Sequence, residues 1–295
     1  MASGAASCVA CGGHLSLFGR RLNYEYHRCG ACGTIQLVPL PGEVELAQAY
    51  ASQYATERHY EEDPDLCRTS ASTYYQSIMQ VLKDCEISGL VLDYGAGWGG
   101  LCEMLTENGF LCQGLEISED MVAYCQRRGL PVQRGDLAAL GEAEGGVSAL
   151  VLCAVFEHLV NHDAWLTRAN RLLEDNGVLV TLQPTASFAD FMGRLSRLGN
   201  IDKPLPRLHQ VFCPPWHAVF FSLEGMTELA SRNGFELLEI RPAPQGRVSG
   251  LIGLAQICLE LVNRVGWYLA GRRWPLLIAH IFVLRKVRNV GSDPL

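Results

Sequence analysis

The chain has 295 residues, 48% hydrophobic and 19% charged, enough for one large domain with its own core and a small module beside it. Lys plus Arg number 24 against 31 Asp plus Glu, a formal net charge of −7 with no long basic run, so the composition argues against a protein built to track phosphate backbones. The longest apolar candidate, from Val248, stops at Glu260, short of the roughly 20 residues that span a bilayer.

The first stretch, MASGAAS, lacks the charged and apolar regions of a secretory signal. Next, CVACGGHLSLFGRRLNYEYHRCGACG carries Cys8, Cys11, Cys29 and Cys32 as two Cys-x-x-Cys pairs. Four thiolates at this spacing suit one tetrahedral zinc ion with no open position, hence a structural site. A module of about 40 residues usually needs such a metal to fold. The remaining cysteines stand singly, mostly among apolar residues, and read as reduced thiols of a cytoplasmic protein. Arg20, Arg21, His27 and Arg28, with Tyr24 and Tyr26, would let this ribbon stack on RNA. VPLPG closes the piece near residue 40. Residues 41–88 read as helices rich in Tyr and acidic groups, among them Tyr54, His59 and Tyr60, which precede the sheet.

From residue 89 short apolar runs alternate with helical stretches, the rhythm of a parallel sheet. Strands are expected at 90–94, 110–116, 149–155 and 178–184. A helix starts at Gly100. Ser118 caps a helix over 119–128, and AWLTRANRLLEDNG (164–177) reads as a helix closed by Gly177. Ser222 and Gly234 bracket another helix, followed by strands at 235–242 and 277–289. Between these last strands, an apolar insertion at about 246–275 holds a helix. Leu251, Leu254, Cys258, Leu261, Val262, Val265 and Leu269 share one face, and Ile252, Ile257 and Leu259 make the other face apolar too. Such a helix is buried, sits in a homodimer interface, or touches a membrane surface or a greasy acceptor. Arg272, Arg273 and Trp274 follow it.

LDYGAGWGG (92–100) reads as strand, glycine turn and helix start. Gly95, Gly97 and Gly100 satisfy G-x-G-x-x-G, and Glu116 lies about 20 residues on, so a dinucleotide fits the pattern as written. Asp93 tips the balance. A carboxylate before the loop repels a pyrophosphate and suits an ammonium, such as the amino group of S-adenosylmethionine. Glu116 can accept both ribose hydroxyls.

Asp93-Tyr-Gly95-Ala-Gly97-Trp-Gly99, Glu116, RGDL with Asp136, and VFEHLVNH with Glu157-His158 together resemble the successive motifs of class I S-adenosylmethionine-dependent methyltransferases. HAVFFSLEGMTELASRNGF (217–235) is similar to the segment after the fifth strand in the small-molecule branch of that family, and the resemblance covers roughly 89–241. Tyr94 and Trp98 are bulkier than the family's usual residues. The cysteine pairs and the Tyr-rich stretch after them resemble the zinc-ribbon extension of some bacterial polysaccharide and natural-product methyltransferases. The later half does not match the second catalytic domain of the sugar C-methyltransferases.

The resemblance implies an α/β fold: a Rossmann-like, seven-stranded, mostly parallel sheet with helices on both faces, its last strand antiparallel. It also implies roles. Gly95, Gly97 and Gly99 approach the methionine part, Glu116 binds ribose, Ile117 packs on adenine, Asp136 and Leu137 meet the adenine edge, and Cys153 and Ala154 floor the sulfonium. The implied domains are a zinc ribbon (1–40), a helical lid or linker (41–88) and a catalytic domain (89–295).

A sulfonium is already an activated donor, so the transfer needs no metal and no covalent enzyme intermediate. Orientation of the two reactants supplies up to roughly 7–11 kcal/mol. An acceptor hydroxyl also needs a base, for which His158, Glu157, His217 and His209 are the candidates. The reading is methyl transfer to a small-molecule acceptor: a saccharide, lipid-linked or natural-product intermediate. Two rivals stand beside it, an RNA methyltransferase that grips RNA with the ribbon, and a non-catalytic cofactor-binding scaffold.

Overall fold

A computed structural model of the chain describes residues 6–42, 44–46, 48–49, 63–140, 145–196, 212–245, 250–271 and 274–290. Tyr54, His59, Tyr60, His209, Arg272 and Arg273 lie outside the described residues.

Seven strands make the main sheet, in the order β10-β11-β8-β7-β4-β5-β6. They are β4 (Val91–Tyr94), β5 (Cys112–Glu116), β6 (Val132–Arg134), β7 (Val147–Cys153), β8 (Leu173–Pro184), β10 (Phe235–Pro242) and β11 (Ala279–Lys286). β4 to β8 run parallel, and β11 runs antiparallel to both β8 and β10. From β4 the chain winds outward through β5 and β6, then returns to β7 on the other side. The order therefore reverses between β4 and β7, which opens a crevice at the carboxyl ends of these two strands.

β7 is buried at nearly every position, as a central strand covered on both faces must be. On one face α1 (Pro64–Ser70), α2 (Ser72–Asp84), α3 (Gly100–Glu107) and α4 (Glu119–Arg127) lie over a core of Ile78, Leu82, Val91, Leu101 and Val151. On the other, α5 (His162–Leu172) and α7 (Leu223–Arg232) pack with Leu92, Leu150, Phe156, Phe220 and Phe282. α6 (Ala186–Ser196) follows β8 and α8 (Gly250–Ala270) precedes β11. Ser118, Asn161 and Ser222 each accept a backbone N–H at the start of their helix, as short oxygen-bearing side chains at N-caps do.

Two local expectations change. Gly177 does not close the helix after Asn161; the helix ends at Leu172 and β8 begins at once, because the parallel ladder with β7 captures the backbone from Leu173. α8 is not buried all round. Leu261, Val265 and Leu269 are 57%, 58% and 77% exposed; among the described side chains one edge is held where Trp274 lies on Gly266 and its Nε1 donates to the buried Asn263 Oδ1 at 2.9 Å. Among the described residues no helix is long and apolar enough to cross a membrane.

The N-terminal cysteine module is woven into the rest. β1 (Leu15–Arg21), β2 (Tyr24–Cys29) and β3 (Ile35–Leu37) form an antiparallel sheet whose fourth strand is β9 (Val219–Phe220), contributed from far downstream. Tyr26, Ile35 and Leu37 join the core of Phe156, Phe220 and Phe221. Arg232, ending α7, donates to the carbonyls of Val9 and Ala10 and to Asp163 on α5. This pairing crosses the boundary drawn from the sequence at residue 40.

Candidate functional site

The turn after β4 is shaped by glycines at positive φ. Gly95 has φ +76°, and a Cβ there would stand 2.6 Å from Val155 Cγ2, so the loop and the turn after β7 touch because Gly95 has no side chain. Gly95→Ala is expected to cost about 1–3 kcal/mol of stability from φ strain and overpacking. The double variant with Val155→Ala should recover only the overpacking part, as read from denaturant midpoints. Gly97, at φ +54°, has nothing within 4 Å of its virtual Cβ: its backbone faces open space that a ligand can approach closely. α3 starts three residues later, at Gly100, and the free N–H groups of a helix's first turn suit a ligand there.

Glu116 ends β5 and is nearly buried. Its Oε2 accepts Gly97 N–H at 2.8 Å, and its Oε1 accepts Ile117 and Ser118 N–H at 2.8 and 2.9 Å. The carboxylate thus ties the glycine loop to the end of the neighbouring strand. A carboxylate has about four acceptor positions, so one remains, on Oε2. The sequence expectation that Glu116 accepts two ribose hydroxyls needs the Gly97 contact to be given up for the second.

Asp93 is 2% exposed, points towards α3, and accepts from Cys102 Sγ at 3.7 Å. Burial, with the negative charge of Glu116, pushes its carboxyl up to about 7. Ile117 is 60% exposed although apolar, a flat surface at the carboxyl edge of β5. Leu137 is buried, while exposed Asp136 accepts Ala138 N–H at 2.9 Å. Cys153 closes β7 with its thiol pushed up by burial. Ala154 follows at φ +57°, a left-handed conformation uncommon for a residue with a Cβ. The bulky Tyr94 and Trp98 pack edge-on against Trp165 and Tyr124.

Tyr75 on α2 was not singled out in the sequence. Its ring lies 2.6 Å from the virtual Cβ of Gly100, over the start of α3, and interacts with Asp93 and Cys153. Only a Tyr-rich helix before the sheet announced it. Arg68 on α1 pairs with Glu103 on α3, and Tyr124 donates to Asp65 at 2.9 Å, so α1 is latched onto the same face.

One strand across, Glu157, His158 and His217 come together. Their ligating atoms all lie within 4.8 Å of one another. Glu157 and His158 ride on the short turn after β7, and His217 precedes β9. The His158 and His217 rings are 5.2 Å apart, and His158 Nε2 is 4.0 Å from Glu157 Oε1. Glu157 is 1% exposed, and burial pushes its carboxyl up to about 8. Burial, then the charge of His217, holds His158 below its ordinary value; its side chain keeps 23% exposure, so desolvation is less complete there than at Glu157. His162 is structural: its Nε2 lies 3.1 Å from the Phe156 carbonyl and braces the turn.

His217 is held from the cysteine module. Tyr26 Oη donates to the His217 carbonyl at 3.0 Å, and Leu37 N–H donates to the Ala218 carbonyl at 2.9 Å. Tyr26, read from sequence as a surface for stacking on bases, is only 2% exposed. Tyr24 donates to Glu45, Arg20 pairs with Glu25, and Arg28 lies 3.7 Å from Asp190. Of the basic groups expected to meet RNA, Arg20, His27 and Arg28 already face carboxylates.

The four cysteines bring their sulfurs within 4.8 Å of one another, with Cys8–Cys32 at 3.7 Å and Cys11–Cys29 at 3.5 Å. Sulfurs bound tetrahedrally at about 2.3 Å stand about 3.8 Å apart, so the cluster fits zinc.

A family model described as a methyltransferase domain matches residues 68–240. A comparison with curated protein sequences found no match. Among solved structures, the chain is similar to an S-adenosylmethionine-dependent methyltransferase from Archaeoglobus fulgidus (14% identity, 79% of this chain and 99% of that one, TM-score 0.50). It is also similar to the 1,6-didemethyltoxoflavin-N1-methyltransferase of Burkholderia thailandensis, solved with 1,6-didemethyltoxoflavin and S-adenosylhomocysteine (14% identity, 92% and 98% covered, TM-score 0.51). A third likeness is to a chain of the complex between the Trm112 methyltransferase activator and a methyltransferase of Haloferax volcanii (13% identity, 80% and 97% covered, TM-score 0.54). At these identities the likeness is one of fold.

Proposed function

This chain belongs to the S-adenosylmethionine-dependent methyltransferase family, and from that premise we propose that it methylates a small-molecule acceptor held at the β4/β7 crevice. The observation that carries this reading is the placement of the glycine loop with Glu116 on one side of that crevice and the Glu157–His158–His217 cluster on the other. Bound there, the cofactor supplies a methyl group on a sulfonium, open to in-line displacement. Gly95, Gly97 and Gly99 would hold its methionine part against the start of α3, and Glu116 its ribose. Ile117 would pack on the adenine, with Asp136 and Leu137 at its edge and Cys153 and Ala154 beneath the sulfonium. The acceptor's nucleophile belongs at the cluster, beside Glu157, His158 and His217. A saccharide, lipid-linked or natural-product intermediate fits the reading. The Burkholderia relative, named for a small-molecule acceptor, supports that class.

We assign a structural zinc to the four cysteines, the lid to residues 41–88 and catalysis to 89–295. The exposed face of α8 would be covered by a second copy or by lipid. Sedimentation at rising protein concentration, against flotation with anionic vesicles, separates the two. The central test is transfer of labelled methyl from S-adenosylmethionine to a panel of small hydroxylated acceptors and to total RNA. Label on RNA alone would overturn the small-molecule reading. Cofactor binding with no transfer to any acceptor would leave a scaffold.

Asp93 gives the cofactor site a pH dependence. Its carboxyl is raised in the folded protein, so the proton stabilises the empty protein at low pH, and that contribution is lost as pH rises through about 7. The cofactor's ammonium needs the ionised form. Affinity for S-adenosylhomocysteine should therefore rise with pH by up to about tenfold per unit below 7 and flatten above it. Calorimetry from pH 5.5 to 8 checks this, and Asp93→Asn should flatten the profile.

A further inference from the structure

We propose that Glu157, His158 and His217 form a second metal site, distinct from the cysteine cluster, that takes a divalent first-row transition ion. Two imidazoles and one carboxylate give three ligands, all within 4.8 Å of one another. Atoms bound to one ion at about 2.0–2.2 Å stand roughly 3.0–3.5 Å apart. Closure by up to about 1.3–1.8 Å, within reach of side-chain rotation, therefore completes the set.

The carboxylate carries an independent sign. Glu157 is 1% exposed, and its Oε2 has no hydrogen-bond partner among the described residues. A buried carboxyl oxygen without a partner is costly to keep, and a bound cation would satisfy it. The ligands also come from two segments that the fold holds against each other. The Glu157–His158 turn is braced by His162 on the Phe156 carbonyl and by Ala218 N–H on the Glu157 carbonyl at 3.0 Å. The His217 backbone is held by Tyr26 and by the β3–β9 pairing. A mixed nitrogen and oxygen set suits zinc, iron, cobalt or nickel rather than magnesium or calcium.

Three protein ligands leave open coordination positions. The role of the ion rests on the methyltransferase reading: an acceptor hydroxyl takes an open position and becomes more acidic there. Its proton leaves to solvent, the O–CH3 bond forms as the S–CH3 bond breaks, and S-adenosylhomocysteine departs. This narrows the acceptor to an oxygen nucleophile, a hydroxyl or an enol.

The test uses the full chain with its cysteine site loaded with zinc. Co2+ is titrated into wild type, Glu157→Gln and His217→Gln, and metal per chain is counted after gel filtration. Wild type should hold about two ions and each variant about one. The second ion should show the weak visible bands of a nitrogen and oxygen site, without sulfur-to-metal charge transfer. About one ion in wild type, or about two in all three proteins, overturns the proposal. If a substitution prevents folding, the wild-type spectrum decides: no visible Co2+ bands, or only the sulfur charge transfer of cobalt exchanged into the cysteine site, overturns it. S-adenosylhomocysteine calorimetry on the same samples separates the two ideas. Cofactor binding without a second ion removes the metal site and leaves the methyltransferase reading; a second ion without cofactor binding does the reverse.

Discussion

Glu116→Ala is expected to weaken S-adenosylhomocysteine binding by at least about 100-fold, a loss of about 2.7 kcal/mol. Glu116 is proposed to hold the ribose, and it is also the clasp of the loop. Removing it leaves the N–H groups of Gly97, Ile117 and Ser118 without their acceptor. Hydrogen bonds to a charged group contribute about 1.5–3 kcal/mol each, and part of that loss returns through water at the crevice mouth. Glu116→Gln keeps one oxygen but turns an NH2 group towards a backbone donor, so its affinity should fall between the two. Calorimetry with S-adenosylhomocysteine measures all three proteins. Affinity for Glu116→Ala within threefold of wild type would reject both roles.

Replacing Cys29 and Cys32 by Ser should remove the zinc and abolish methyl transfer, a fall of at least about 100-fold in turnover, while cofactor affinity stays within about threefold. Structural zinc contributes roughly 10–16 kcal/mol to folding of such modules, so the ribbon without it unfolds. The loss would not stop there. Ser222 Oγ donates to the Cys32 carbonyl at 2.5 Å while capping α7, β3 pairs with β9, and Tyr26 holds the His217 backbone. Unfolding the ribbon therefore releases one edge of the acceptor side. The glycine loop and Glu116 are held by β4, β5 and α3, and keep their geometry. Metal content, S-adenosylhomocysteine calorimetry and turnover on the same preparation give the answer. Loss of cofactor affinity would show that the ribbon supports both halves of the site. Unchanged turnover would show that His217 is not needed. Tyr26→Phe is the milder version, removing one hydrogen bond and leaving the zinc in place.

Much of the cofactor side was legible in the chain. A buried strand, a glycine turn and a helix start are local features, and the residues that shape them, Gly95, Gly97 and Glu116, lie within one βαβ unit. The four-cysteine cluster was legible for the same reason: it is written in the spacing of the pairs. Backbone conformation and short-range spacing are written in neighbouring residues, so the sequence alone determined the sheet, the glycine loop and the cysteine cluster. It also supplied Glu157 and His158 as candidates, without a way to choose among the histidines.

Tertiary structure brought His217 to Glu157 and His158, while His209 lies outside the described residues. His217 and Glu157 meet because β9, some 60 residues after β7, pairs with a strand from the N-terminal module. No periodicity records a pairing between residue 35 and residue 220. Tyr26 shows the same limit: its sequence neighbours suggested an RNA-facing surface, while packing against Phe212 and Phe220 buried it. Tyr75 reached the glycine loop only because α2 docks across α3. The exposed face of α8 was likewise invisible, since an apolar helix reads the same whether its partner is inside the chain or outside it. Hydrophobic burial is non-directional and sets which residues seek cover; only the closed topology decides against what.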